Sequence, residues 1–316
     1  MRKYDPEILM AAILSMSFVL LCSGKAATVP EPPPVLAAAP TLMQEASRYD
    51  DGSTITLLCD GATQTLSLHD YLIGVLLAEM PTNFAPEALK AQAVASRTYA
   101  LHTTKHGSAT VCADSGCCQT WRAVDATTPG YEKAKAAVEE TDGLVLKYDG
   151  EYIDATFFAC SGGMTEAAVA VWGSEVPYLQ SVESPGEEQA ASYHSQVCLR
   201  AADFAEKITA SHPEADLTGD AALWVRDIRR TAGNGVAQAE VGGIAIAGTE
   251  LRQIFGLRST GFTLTYADDV FTFEVYGYGH RVGMSQYGAQ AMAQAGADFE
   301  EILKTYYRGV ELCTLP

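Results

Sequence analysis

Glu79 is the residue whose type and position most directly suggest catalytic chemistry. It follows the otherwise apolar run from Tyr71 to Ala78 and stands two residues before Pro81. A carboxyl group among apolar neighbours at the C-terminus of a helix loses solvation and meets the negative end of the helix dipole, so its protonated form is favoured. A carboxylic acid that stays neutral near pH 7 can act as a general acid, as glycoside cleavage requires. Taken alone, the pattern also fits a surface glutamate at a helix end.

Two glycine-rich segments contain further polar side chains that could contact a ligand. In the first, Ser161 and Gly162 follow a strand-like run that begins at Phe157. In the second, His280 stands among glycines just before a predicted helix that starts at Ser285. Because glycine has no side chain, its backbone can approach a ligand closely, so both segments are candidates for substrate contact. A simple turn after a strand and a purely structural histidine are the alternatives.

One histidine and three cysteines lie close together in the sequence, namely His106, Cys112, Cys117 and Cys118. Four such side chains are enough for a closed tetrahedral zinc site that leaves no position for a catalytic water. A Cys112–Cys118 disulfide and free vicinal thiols are the alternatives for an exported chain. Four other cysteines show no ligand spacing, namely Cys59, Cys160, Cys198 and Cys313.

The first 27 residues are typical of a membrane anchor or a signal segment. Arg2 and Lys3 precede an uncharged run of about 15 residues that ends at Cys22, which is short for a free-standing membrane-spanning helix but sufficient for a short single-pass anchor or a signal peptide. Residues 28–52 are rich in proline and predict a stiff, extended linker. Either interpretation places the predicted folded domain, residues 53–316, outside the cytoplasm.

Composition and patterning indicate an acidic globular domain of the α+β class. The chain has 316 residues and a formal net charge of −18, which argues against nucleic acid as a partner. Hairpins are predicted where Asp60-Gly61 and Asp149-Gly150 separate β-like runs. Helix signals include Ser67 before the apolar run, Pro86 in a first turn and Asp298 as an N-cap. Because hairpins and helices alternate without a βαβ rhythm, we expect an α+β fold around one active-site groove.

Together these segments resemble the stage II sporulation protein D family of peptidoglycan lytic transglycosylases, also called the amidase-enhancer domain. The resemblance rests on three motifs in the same order: Glu-Met-Pro at Glu79 with the helix that follows it, Ser-Gly-Gly at Ser161, and the run from Gly279 to Gly288. The Ile-Leu-Lys-Thr-Tyr-Tyr run at residues 302–307 matches as well. The similarity covers about residues 53–312.

The resemblance implies that Glu79 is the catalytic acid of a reaction that is not hydrolysis. Glu79 would protonate the glycosidic oxygen after N-acetylmuramic acid and then accept a proton from that sugar's 6-hydroxyl, which attacks C1 and closes a 1,6-anhydro ring. An intramolecular nucleophile gains from proximity and needs no activated water, so a second catalytic carboxylate is not required. The residues implied in substrate contact are Gln92, Arg97, Ser161, Gly162, His280, Gln286 and Tyr287.

The resemblance also implies a structural zinc near the active site, since sporulation members hold one with cysteine and histidine side chains of the corresponding loop. Its ligands here would be His106, Cys112, Cys117 and Cys118. The third ligand position is a histidine in the family pattern, whereas Cys117 stands there in this chain, and zinc accepts either side chain.

The implied biological setting is the engulfment stage of sporulation, with a membrane anchor, a partner cell-wall amidase and glycan strands stripped of their peptides. Two other functions remain open from the sequence. One is a non-catalytic glycan-binding enhancer of an amidase. The other is an amidase that uses Cys160 as nucleophile and His280 as base.

Overall fold

The computed structural model describes residues 49–103, 106 and 110–316. The predicted anchor or signal segment, residues 1–27, and most of the predicted linker lie outside the described residues. No helix in the described part is both long and apolar enough to cross a membrane. The described chain combines helices with mainly antiparallel sheets, which confirms the α+β class.

The elements of the described part are as follows. The helices are α1 (Leu68–Glu79), α2 (Pro86–His102), α3 (Tyr131–Glu140), α4 (Ala168–Trp172), α5 (Ala201–Ser211), α6 (Gly248–Phe255), α7 (Gln286–Gln294) and α8 (Phe299–Tyr306). The strands are β1 (Thr54–Cys59), β2 (Ala62–Ser67), β3 (Thr110–Cys112), β4 (Leu144–Tyr148), β5 (Glu151–Tyr152), β6 (Phe157–Phe158), β7 (His194–Arg200), β8 (Val225–Arg230), β9 (Val236–Val241), β10 (Ile244–Ala247), β11 (Phe262–Ala267), β12 (Val270–Tyr276), β13 (Met284–Ser285) and β14 (Glu311–Thr314).

Helices α1 and α2 form the centre of the first of two hydrophobic cores. Helix α1 begins after its N-cap Ser67, whose Oγ accepts a hydrogen bond of 3.0 Å from the backbone N–H of Asp70. Nearly all of its residues up to Leu77 are buried, as expected for a helix that other elements enclose. Helix α2 is lined with alanines, and this allows α1, α3, α7 and α8 to pack closely against it.

A second hydrophobic core lies within residues 194–276, which we call the second lobe. Two antiparallel sheets, ordered β11-β12-β7 and β10-β9-β8, enclose it together with α5 and α6. Phe204 is at its centre, with the ring centroids of Phe271 and Phe255 at 4.1 and 4.8 Å. After this lobe the chain returns to the first core, so the second lobe is an insertion into the rest of the described chain, which we call the first lobe. Residues 53–316 were predicted to form one domain, without a distinction between these two cores.

A turn over Tyr49–Gly52 packs into the first lobe, although the sequence analysis placed residues 28–52 in the linker. Asp50 and Asp51 have φ values of 51° and 53°, a left-handed conformation that aspartate tolerates better than most residues. The Asp50 side chain is fully buried, and its Oδ1 accepts a hydrogen bond of 3.2 Å from the N–H of Gly143. The buried contacts of the first lobe therefore extend into the predicted linker.

Arg281 connects the two lobes through its buried guanidinium group. Its Nε donates to the carbonyl of Ser161 at 2.7 Å, and its Nη2 donates to the carbonyl of Gly233, in the second lobe, at 2.8 Å. Its Nη1 lies 3.3 Å from Glu166 Oε1, which also accepts the N–H of Gly235 at 3.0 Å. One buried ion pair thus holds the segment after β6 against the β8–β9 loop.

Candidate active site around Glu79

Glu79 is the last residue of α1, and its side chain is half-buried between apolar residues of the first lobe. The neighbouring side chains Leu76 and Met80 are almost fully buried. Glu79 Oε1 accepts a hydrogen bond of 2.5 Å from the backbone N–H of Thr120. The helix therefore places one carboxylate at the edge of the core, with a fixed donor on one of its oxygens.

The surroundings of Glu79 favour its protonated form, as the sequence analysis predicted. Burial raises the pKa of this carboxyl group, while hydrogen bonds from the hydroxyl and N–H of Thr120 and from the side chain of Gln286 act in the opposite direction. The net direction is upward. A group balanced in this way can release a proton and can also be stabilised afterwards as a carboxylate.

Thr120 is a site residue that the sequence analysis missed. It follows the cysteine-rich loop and Gln119, whose Nε2 donates to Tyr71 Oη at 3.1 Å and to the Ser96 carbonyl at 3.2 Å. Gln119 is buried, so these bonds hold the chain between α1 and α2 and set the position of the Thr120 N–H. The feature of the sequence that could have indicated Thr120 is its position just after the loop that contains Cys118.

Gln286 is the predicted substrate residue that the structure brings to Glu79. It opens α7, whose N-cap Ser285 accepts a hydrogen bond from the Gly288 N–H at 3.2 Å. Its Nε2 lies 3.5 Å from Gln92 Oε1. Gln92 is fully buried and donates to Ser96 Oγ at 3.0 Å, a position from which it supports Gln286, and its contact with substrate stays a prediction.

Arg97, a predicted substrate residue, lies in the interior of the first lobe. Its side chain is fully buried, and its Nε donates to Asp50 Oδ1 at 2.5 Å. The other guanidinium nitrogens donate to the carbonyls of Leu144 and Val138 at 3.2 and 3.3 Å. A guanidinium enclosed by these partners has no path to a ligand, and it fixes the N-terminal turn to the first lobe.

Ser161 is directed into the protein interior by a buried carboxylate. Glu187 Oε1 accepts the Ser161 hydroxyl at 2.9 Å, and Glu187 Oε2 accepts the Cys160 thiol at 3.0 Å and the Gly162 N–H at 3.1 Å. The Ser161 hydroxyl is therefore buried and already hydrogen-bonded, and its contact with substrate stays a prediction. Gly162 keeps an exposed face and a φ of 73°, and a side chain there would collide with the backbone of Gly277.

His280 is held by both of its ring nitrogens. Its Nε2 donates to the Phe157 carbonyl at 3.0 Å, and its Nδ1 accepts the Val282 N–H at 3.1 Å, a pattern that requires the neutral Nε2-protonated tautomer. Its ring lies against Phe158 and against the exposed ring of Trp172, with centroid distances of 5.6 and 5.5 Å. These contacts fit the alternative of a histidine that holds the glycine-rich loop in shape, and the contact of His280 with substrate stays a prediction.

Tyr287, the remaining predicted contact, is half-buried next to Gln286. Its ring meets the edge of Phe84 at a centroid distance of 5.2 Å, and its N–H donates to the Ala159 carbonyl at 3.0 Å. It also lines a small cavity of about 160 Å³. Its ring thus remains partly accessible, and its contact with substrate stays a prediction.

The four predicted metal ligands converge in space. The ligand atoms of His106, Cys112, Cys117 and Cys118 all lie within 4.8 Å of one another, with 3.3 Å between Cys117 Sγ and His106 Nε2. None of the seven cysteines that the structure describes forms a disulfide. Three thiols and one imidazole at this separation form a donor set that fits a tetrahedral metal ion.

Comparisons with known proteins show what this chain is similar to. A family model described as "Stage II sporulation protein" matches residues 61–148, the part that contains Glu79 and the four candidate metal ligands. The chain is 35% identical to stage II sporulation protein D of Bacillus subtilis (strain 168) over 265 residues, which cover 79% of this chain and 76% of that protein. It is 34% identical to stage II sporulation protein D of Bacillus amyloliquefaciens over 265 residues, or 79% and 75% of the two chains.

The chain is also similar to a protein named for a different role. The amidase enhancer of Bacillus subtilis (strain 168) is 32% identical over 293 residues, which cover 76% of this chain and 40% of that longer protein. The two sporulation relatives align over about three quarters of their own length. By this shared sequence, the chain belongs to the stage II sporulation protein D family.

Proposed function

We propose that this protein is a lytic transglycosylase that cleaves the glycan strands of peptidoglycan, with Glu79 as the only acid and base. The observation that carries the proposal is the half-buried carboxyl group of Glu79, whose pKa burial raises, held between Thr120 and Gln286. A glycan binder has no need of a desolvated acid, whereas a transglycosylase depends on one.

In the proposed reaction, protonated Glu79 donates its proton to the glycosidic oxygen that follows N-acetylmuramic acid. The bond from C1 to that oxygen breaks, and the leaving sugar departs as an alcohol. The 6-hydroxyl oxygen of the same muramic acid residue then bonds to C1, and its proton passes to the Glu79 carboxylate. The acid is regenerated, no water is consumed, and the product carries a 1,6-anhydro end.

The hydrogen bonds around Glu79 suit both halves of this cycle. While the carboxyl group is protonated, Thr120 N–H can bond to the oxygen that does not carry the proton. Once the proton has left, the same N–H and the Gln286 side chain stabilise the negative charge. The described interactions that shift the pKa of Glu79 come from burial, Thr120 and Gln286, and none comes from a second carboxylate. A nucleophile within the substrate fits this arrangement because it needs no separate general base.

Two other functions make different predictions. The similarity to the amidase enhancer favours a binding module that stimulates an amidase without cutting glycan. An amidase with Cys160 as nucleophile is poorly supported, because burial and the neighbouring Glu187 carboxylate raise the pKa of the Cys160 thiol. A thiol in those surroundings stays protonated, and a thiol is a poor nucleophile compared with a thiolate. His280, its suggested base, uses both ring nitrogens to hold its own loop.

We further propose that the cluster of His106, Cys112, Cys117 and Cys118 binds a structural zinc ion. Zinc would cross-link the loop and supply no chemistry to the reaction, because the four side chains fill a tetrahedral shell. The loop runs directly into Gln119 and Thr120, and Thr120 donates to Glu79. An ordered loop is therefore expected to keep the Thr120 N–H in place.

The proposed setting follows the family. Residues 1–27 would anchor the protein in the cell membrane by a single pass, with the folded part outside the cytoplasm, or would be cleaved from a secreted form. A partner amidase would remove the stem peptides during engulfment of the forespore. The proposed substrate is the denuded glycan strand that this amidase leaves.

Analysis of reaction products by mass spectrometry tests the proposal. Purified protein is incubated with intact and with denuded peptidoglycan, and we expect new 1,6-anhydro-muramic ends. Glu79→Gln should lower their formation by at least about a hundredfold, the lower range for loss of a general acid. Glu140→Gln is a matched control, because Glu140 also ends a helix but is exposed and pairs only at the surface with Lys90. Released peptides would instead indicate an amidase, and no products at all a binding module.

A further inference from the structure

A cavity of about 490 Å³ lies at the junction of the two lobes, outside the residues that surround Glu79. Its volume falls within the range of about 300–1,000 Å³ that is typical of small-molecule sites. Gly162, Gly163 and Met164 form the wall from the first lobe. The second lobe contributes mainly the β8–β9 loop, the start of β11 and Tyr276. No acidic residue stands among the described residues that line it.

Two arginines give this cavity a positive wall. Arg281 is buried, and its charge is matched by Glu166 at 3.3 Å. Arg230 lies at the exposed end of β8, and no acidic side chain within the described residues forms an ion pair with it. Burial lowers the pKa of Arg281, and the nearby charge of Arg230 acts in the same direction. An anionic ligand in this cavity would neutralise the charge of Arg230.

Both guanidinium groups are held in place before any ligand arrives. Arg230 donates to the carbonyls of Asn234 and Phe262 at 2.9 and 3.0 Å, and three of its five N–H donors remain for a ligand. Arg281 adopts a φ of 67°, an uncommon conformation for a residue with a side chain, and its four backbone and carboxylate contacts enforce it. Rigid donors lose little conformational entropy on binding, which favours recognition of a carboxylate.

The remaining walls suit a sugar ring. Tyr276 is 38% exposed, and its ring packs against Tyr193 and His194 at centroid distances of 6.1 and 5.1 Å. An exposed aromatic ring offers an apolar face to a pyranose and a hydroxyl at its edge. Gly162 and Gly163 have φ values of 73° and 105°, and their bare backbone permits a close approach from the other side.

We propose that this cavity binds a sugar that carries a carboxylate, with Arg230 pairing to the carboxylate and Tyr276 stacking on the ring. The inference deepens the proposed function, because removal of the stem peptide from N-acetylmuramic acid leaves a free lactyl carboxylate on that sugar. A peptide-bearing sugar has an amide in the same place and offers no charge to Arg230. The cavity would then bind glycan strands without stem peptides in preference to strands that carry them. This selection would take place at a site separate from the carboxyl group of Glu79.

The test uses ¹⁵N-labelled Glu79→Gln protein, so that binding is measured without turnover. N-acetylmuramic acid, N-acetylglucosamine and inorganic phosphate are titrated separately, and the amide signals of Gly162, Gly163 and Gly233 report on the cavity. The two sugars differ only in the lactyl group. We expect N-acetylmuramic acid to shift these signals and to bind at least about tenfold more tightly than the other two ligands.

Arg230→Gln should weaken binding of N-acetylmuramic acid by about 10- to 100-fold, the range for one lost hydrogen bond to a charged group. Arg229→Gln, on the neighbouring exposed residue of the same strand, which does not line the cavity, should leave it unchanged. The melting temperature of each variant checks that it remains folded.

Equal binding of the two sugars, equal binding of phosphate, or unchanged binding by Arg230→Gln would overturn the proposal. So would an absence of shifts at the three glycines. Failure of the wild-type enzyme to form anhydro ends would refute the role of Glu79 and leave this binding result standing, so the two proposals fail separately.

Discussion

Replacing Asp50 by asparagine tests whether Arg97 belongs to the interior or to the substrate site. Both side chains are 0% exposed, and Arg97 Nε lies 2.5 Å from Asp50 Oδ1. Asparagine keeps the shape and tolerates the same left-handed backbone, so the substitution removes the charge and little else. The buried guanidinium then has only carbonyl and amide oxygens as hydrogen-bond partners, and Asp142 still acts on it as a nearby opposite charge.

Removing one partner of a buried ion pair costs about 3–5 kcal/mol, because the other charge stays buried without compensation. The amide oxygen of asparagine can still accept the Arg97 hydrogen bond, which places the expected loss near about 3 kcal/mol. In a domain of this size each kcal/mol shifts the melting temperature by roughly 2–4 °C, so we expect a decrease of about 6–12 °C.

Thermal unfolding followed by circular dichroism measures this change. Asp51→Asn is the matched control, since Asp51 is exposed and shares the left-handed φ of its neighbour. Its melting temperature should stay close to that of the wild type, because exposed substitutions usually change stability by less than about 0.5 kcal/mol. If Asp50→Asn melted within about 2 °C of Asp51→Asn, the pair would not hold the turn to the fold. If it stayed folded but lost glycan cleavage, Arg97 would be a substrate residue after all.

Three further predictions concern the site. The pKa of Glu79 in the folded protein is raised above its ordinary value of 4.5. The stability that this shift contributes is therefore fully present below pH 4.5 and is lost as the pH rises through the folded-state pKa of Glu79. At pH 8 the Glu79→Gln variant should therefore melt at or above the wild-type temperature, and near pH 4 it should lose that advantage. Glycan cleavage by the wild type should decline as the pH rises. Cys112→Ser should lower both the zinc content, measured by mass spectrometry, and the melting temperature. Cys313→Ser is the control and should leave the metal bound. Metal-free wild-type protein with a disulfide in this loop would contradict the zinc site. His280→Ala should lower stability by about 1–3 kcal/mol, with activity following the folded fraction, and a folded but inactive variant would restore the groove role of this histidine.

Local signals predicted much of the first lobe. Ser67 caps α1, Pro86 opens α2, and Asp298 forms a capping box with Glu301, because each of these depends on residues within one helical turn. The position of Glu79 at the end of a buried helix, with a raised pKa, was predicted for the same reason. Strand β7 was missed, since its alternation of exposed and half-buried residues contains several polar side chains.

The buried partners of two predicted site residues could not be read from the sequence. Arg97 and Ser161 are buried polar residues in distinctive motifs, and a sequence indicates that such groups need partners but not which partners they have. Their partners, Asp50 and Glu187, lie 47 and 26 residues away, one of them in a stretch assigned to a linker. The second lobe was not predicted either, because its helices and hairpins look locally like those of the first lobe, and only contacts between distant residues distinguish the two.

The insertion of the second lobe also has a kinetic consequence. Helix α8 and strand β14 complete the first core, where Tyr306 is fully buried and Cys313 pairs in register with Val145. During synthesis, the α1–α2 half of this core must wait for the whole second lobe before its closing segment arrives. Non-local contacts form slowly, whereas the strands of the second lobe mostly pair with neighbours along the chain. We therefore expect the second lobe to fold first, while the half that contains Glu79 stays loose until the segment from Phe299 to Thr314 docks as the final step of assembly.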